Sequence, residues 1–122
     1  MEEELMSSEI TLDMVRSLRA LEAQYKLVST AFGELDNSDG FQTPNQREQM
    51  AEAVKVAMMN WVRAKNRILG ESEDTVNSLR REIGEAQEAI EEALKNIQDI
   101  KAKLNVITKA VNAVSTVVAT LA

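Results

Sequence analysis

DTVNSLRREIGEAQEAIEEALKNIQDIKAKLNVITKAVNAVSTVVATLA, residues 74–122, is the stretch that decides the fold. Apolar side chains recur in it at alternating steps of three and four: Val76, Leu79, Ile83, Ala86, Ile90, Ala93, Ile97, Ile100, Leu104, Ile107, Val111, Val114, Val118 and Leu121. An α-helix turns once in about 3.6 residues, so this spacing holds all of them on one stripe. Past Gly84 no Gly or Pro interrupts the pattern. The reading is one continuous coiled-coil helix over about 74–121, a rod roughly 70 Å long at ~1.5 Å per residue. A short chain cannot cover such a rod, so the rod calls for a partner, most simply another copy.

Upstream, two further helices are legible. Helix 1, about 8–36, carries Met14, Leu18, Leu21, Tyr25, Val28, Phe32 and Leu35, with Ser8 or Thr11 as its cap. It ends in Asp36-Asn37-Ser38-Asp39-Gly40, residues that favour turns because their side chains bond their own backbone or permit unusual dihedrals. A loop over 37–43 leads to Thr43-Pro44-Asn45-Gln46, a capping residue, a proline suited to the first helical position and a capping-box glutamine. Helix 2, about 44–69, then shows Met50, Val54, Ala57, Trp61, Ala64 and Ile68, widened by Met58, Val62 and Leu69. Gly70 suits its end, and Ser72 or Asp74 caps the third helix. The fold class is therefore all-α: one domain over 1–122, an antiparallel bundle of three helices whose long third helix makes it oligomeric.

Charge follows the same segmentation. Residues 1–40 hold nine acids and three bases, and residues 41–70 two acids and five bases. Residues 71–100 hold nine acids and three bases, and residues 101–122 three lysines and no acid. A basic helix 2 lying between acidic helix 1 and the acidic first half of helix 3 satisfies this alternation. Each exposed pair adds only ~0.2–1 kcal/mol, so charge selects the arrangement and apolar burial holds it.

The C-terminal part of the stripe, Ile97, Ile100, Leu104, Ile107, Val111, Val114, Val118 and Leu121, is the expected oligomer interface. Ile97 with Ile100, and Leu104 with Ile107, are pairings that favour more than two strands. Val106, Ala110, Ala113, Val117, Ala119 and Ala122 widen the stripe beyond a two-helix seam. The expected partner is a second copy, in a homodimer or homotetramer, with another helical protein as an alternative.

Chemistry is harder to place. The chain has no His and no Cys, hence neither the usual general base nor a thiol nucleophile. Glu85, Glu88, Glu91, Glu92 and Asp99 form a carboxylate face, but a bundle di-metal site also needs Glu-x-x-His motifs. Residues 36–40 fail as a calcium loop: one register puts Leu35 at the first ligand position, the other puts Arg47 where Glu belongs. Arg63, Arg67 and Lys55 make a small basic patch suited to pairing with acidic neighbours. Trp61 and Tyr25 fall on core stripes, and among the methionines Met59 lies off the stripe and is expected to be exposed. No catalytic residue, metal ligand or cofactor is assigned.

A net charge of −6 argues against nucleic acid, whose phosphates need a basic surface. The N-terminal residues lack the basic and apolar regions of a signal peptide, and no apolar run reaches the ~18 residues of a membrane span. The leading expectation is a cytoplasmic, non-enzymatic, self-assembling scaffold or interaction protein acting through coiled-coil packing. Two alternatives use the same features. One is a structural subunit of an export apparatus or filament, or a membrane-active helical protein, exported without a classical signal peptide. The other is a bundle that binds a small hydrophobic ligand.

Overall fold

The computed structural model describes residues 2–121, and side chains at 12–68 and 70–121. Four helices form in chain order: α1 (Glu2–Asn37), α2 (Pro44–Arg67), α3 (Glu73–Asn96) and α4 (Ile100–Val118), with a single 3₁₀ turn at Ile68–Gly70 after α2. No strand occurs among the described residues. The chain is an all-α helical bundle.

The single long helix expected over 74–121 is instead two helices. The chain leaves the helix after Asn96, with Ile97 extended at φ −93° and ψ 116°. Asp99 is extended as well, and its carboxylate accepts the Ala102 amide at 2.9 Å, which starts α4 afresh. The apolar pattern could not reveal this break, because its phase runs through residues 97–99 undisturbed. α4 folds back along α3, and the rod that called for a partner does not exist in this conformation.

α1 packs on α2 and α3, and α4 packs on the same two, so the helices stand at the corners of a square. The two sequence-adjacent hairpins are antiparallel: Asp36 of α1 meets Arg47 of α2, and Tyr25 meets Trp61. Ala86 and Ala89 of α3 share a groove with Val106, Ala110 and Ala113 of α4. α2 is not sandwiched between α1 and α3 as expected; its second neighbour is α4. Charge alternation is met inside each hairpin, acidic α1 beside basic α2 and acidic α3 beside basic α4.

The core is aliphatic, with Leu21, Val28, Met50, Ile68, Val76, Leu79, Ile90, Leu104, Ile107, Val111 and Val114 fully buried. Each such side chain contributes ~1.5–3 kcal/mol through removal from water. In α3 and α4 the buried residues match the expected stripe. In α1 and α2 every second position shifts back by one. Ser17, Gln24 and Ala31 are buried where Leu18, Tyr25 and Phe32 were expected, and Ala53 and Asn60 where Val54 and Trp61 were expected. The larger side chains stand half-buried at the edge of the core.

Caps explain the boundaries. Thr43 Oγ1 accepts the Gln46 amide at 3.2 Å, and Gln46 Oε1 reaches back to the Gln42 amide at 2.7 Å, one residue earlier than a capping box. Ser72 caps α3 by accepting the Thr75 amide. α1 ends through Gly40 N–H donating to Leu35 O, with Asp39 rather than the glycine taking a positive φ of 55°. Its backbone is already helical from Glu2, ahead of both expected caps, whose side chains, like those of Leu69 and Ala122, lie outside those described.

Candidate interaction surface

The displaced large residues of α1 and α2 meet along one seam. All four aromatic residues of the chain lie there. Tyr25 stacks on Trp61 with centroids 6.3 Å apart and planes 18° from parallel, and Lys65 Nζ stands 4.7 Å from the Trp61 ring centre. Toward the interhelix turn, Phe32 packs against Phe41 at 5.7 Å, and the Arg47 guanidinium lies 5.1 Å from the Phe32 ring. Cations over ring faces gain about 0.5–1 kcal/mol at exposed sites.

Arg47 also clamps Asp36, with Nε–Oδ1 at 2.8 Å and Nη2–Oδ2 at 3.3 Å. The two hydrogen bonds from the guanidinium hold the Asp36 carboxyl below its ordinary value, and the same bonds raise Arg47. This forked pair ties the end of α1 to the start of α2.

Beside Trp61, Met58 and Val62 are exposed at 37% and 39% of their surface. Farther along α1, Leu12 and Val15 are 47% and 37% exposed. Met59 is half-buried, so exposure falls one residue earlier on α2 than expected. Aromatic rings, methionine and cations grouped this way are the side chains that protein interfaces favour.

Among the described residues three polar side chains enter the core, none flagged by an apolar pattern. Ser17 Oγ donates to Asp13 O at 2.8 Å, and Asn60 Nδ2 to Val111 O at 3.2 Å. Gln24 is 1% exposed, and neither its Nε2 nor its Oε1 makes a hydrogen bond. Between α1 and α3 runs a groove of about 370 Å³ lined by Arg16, Ala20, Ala23, Arg80, Gly84 and Gln87. Arg80 bonds Asp13 at 3.0 Å across that pair of helices, and Gln87 Oε1 is buried without a partner.

The expected interface residues sit elsewhere. Ile100, Leu104, Ile107, Val111, Val114, Val118 and Leu121 are buried in the chain's own core, and Ile97 is half-buried in the turn between α3 and α4. Their burial thus needs no second subunit. Lys55 and Arg63 make no ion pair among the described residues. Within the same residues no group of three His, Cys, Asp or Glu is arranged to hold a metal. No helix there is long and apolar enough to cross a membrane.

The class of protein defined by this fold is an all-α helical bundle with an aromatic seam on one face. No protein-family model, curated protein or solved structure matches the chain.

Proposed function

We propose that this protein is a non-enzymatic association module that assembles through its helices, with another copy of itself as the first partner. The observation that carries the reading is the exposure of Met58 and Val62 beside the Tyr25–Trp61 stack, outside an already complete core. Charge supports a second copy as the occupant. A two-fold axis parallel to the helices sets α1 of each copy over α2 of the other, bringing the acidic 1–40 block against the basic 41–70 block. A sequence without His or Cys suits a role in binding rather than turnover.

Light scattering against concentration tests it. The wild-type mass should rise to a multiple of 13.6 kDa, and Met58→Glu with Val62→Glu should return it to the single-chain value. A wild-type chain that stays at 13.6 kDa throughout would overturn self-association.

A second reading, a bundle that holds a small ligand, has one observation in its favour. Gln87 lines the α1–α3 groove with its Oε1 buried and unpartnered, and an apolar ligand carrying a hydrogen-bond donor would suit both.

A further inference from the structure

We propose that α4 exchanges between two copies of the chain: the turn at residues 97–99 opens, α3 and α4 fuse into one helix, and each α4 completes the other copy's bundle. The proposal deepens the self-association reading above and rests on it for its partner, while naming a different route.

The main observation is phase. Ile90, Ala93, Ile97, Ile100, Leu104 and Ile107 succeed one another at three, four, three, four and three residues, straight across the turn. A hairpin does not require this. Once the chain reverses, α4 can present its apolar face from any heptad phase, with the loop absorbing the difference. Continuity of phase is required only where the two segments form one helix, because only then must both stripes face the same side.

The turn itself is three residues, Ile97, Gln98 and Asp99. It contains no Gly or Pro, and Asp39 is the one non-glycine residue with positive φ among those described. Ile97 at φ −93° and Asp99 at φ −65° need mainly a change of ψ, from 116° and 118°, to become helical. Opening adds the ladder bonds that the turn interrupts. One local device holds the closed form, the Asp99 carboxylate on the Ala102 amide. Ile97, a β-branched residue at a stripe position, is only half-buried there. In the open form the two fused helices cross at this point, so the Ile97 side chains of the two copies meet.

All other contacts survive. The packing of α4 on α2 and α3 is reproduced with the partner's helix, and the exchange closes on itself with two-fold symmetry. Short hinges without flexible residues favour this kind of exchange.

Ala89 of α3 and Val106 of α4 line the same groove, which supplies a direct readout. The chain has no cysteine, so Ala89→Cys and Val106→Cys can be carried on separate full-length chains. The two are unfolded together, refolded at high concentration, and treated with a short bismaleimide; a second sample is mixed only after folding. Circular dichroism confirms that each single variant folds. Exchange predicts a covalent dimer, twice 13.6 kDa, in the co-refolded sample and little in the other. Asp99→Ala, which removes the cap of the closed form and places a better helix former in the open one, should raise the dimer association constant by about a hundredfold, since each dimer holds two hinges. A non-covalent oligomer without the cross-link overturns exchange and leaves surface association standing. Cross-linking that is equal in both samples likewise overturns it. A single-chain mass for wild type and Asp99→Ala alike defeats both readings.

Discussion

Replacing Gln24 by Met should make this protein more stable, against the usual outcome of a core substitution. Gln24 is 1% exposed in the middle of α1, and both polar atoms of its amide lack a partner. An unsatisfied buried donor or acceptor costs about 1–3 kcal/mol. Met keeps the length and flexibility of the side chain, fills irregular space well, and has nothing to leave unpaired. Removing the amide while burying a thioether should therefore raise the unfolding free energy by roughly 2–4 kcal/mol, allowing for some loss in fit. Asn60 is the control. Its Nδ2 is bonded to Val111 O, a carbonyl inside α4, so Asn60→Leu exchanges a satisfied hydrogen bond for apolar contact and should stay within about 1 kcal/mol of wild type. Urea unfolding followed by circular dichroism measures both, at one protein concentration because association shifts apparent stability. The midpoint should move up for Gln24→Met with an unchanged slope. A midpoint shift equivalent to a loss of about 1 kcal/mol or more would refute the reasoning and show that the amide is engaged.

Two further outcomes rest on burial and charge. Ile107→Glu puts a carboxylate at a fully buried site and should cost ~2–3 kcal/mol in lost burial plus several more in desolvation, whereas exposed Glu88→Ala should stay within about 0.5 kcal/mol; equal, small shifts in urea midpoint would mean Ile107 is not in the core. Asp36 titrates below its ordinary 3.8 in the folded chain because of its bonds to Arg47, so its contribution is present above that value and is lost as pH falls through the lower, folded one. The stability difference between wild type and Asp36→Asn should accordingly narrow at acid pH and at high salt, and a difference that widened on acidification would contradict the pair.

The sequence was most legible where a single residue type has one structural use. Thr43, Pro44 and Gln46 placed the start of α2, and Ser72 that of α3, because caps and N-terminal proline answer local backbone needs. The stripes of α3 and α4 were legible because both are strongly amphipathic and wholly apolar on the buried side. The stripes of α1 and α2 were read one position off at alternate sites. A pattern built on apolar residues follows Leu18, Tyr25 and Trp61, while the core takes Ser17, Gln24 and Asn60. Small or polar residues in the middle and large ones at the rim let two helices approach closely, an arrangement that hydrophobicity alone does not encode. The break at residues 97–99 was hidden for a different reason: its one marker, Asp99 as a cap, is indistinguishable by type from the other acids of a carboxylate-rich stretch. Of the aromatic seam, Tyr25, Phe32 and Trp61 were visible only as separate stripe residues and Phe41 not at all, since the seam depends on how α1, α2 and the loop between them face each other.

The uneven division of the core has a consequence for the order in which the protein is made. Residues 12–67 bring mainly Leu21, Val28, Met50 and alanines to the interior, together with three polar side chains. The Ile, Val and Leu residues that dominate the core come after them, in α3 and α4. Leu18, Tyr25, Phe32 and Trp61 of α1 and α2 stay only half-buried even in the finished bundle, so the first half has few fully buried apolar residues of its own. α1 and α2 alone lack most of the fully buried Ile, Val and Leu side chains, so formation of the core is expected to wait for α3 and α4.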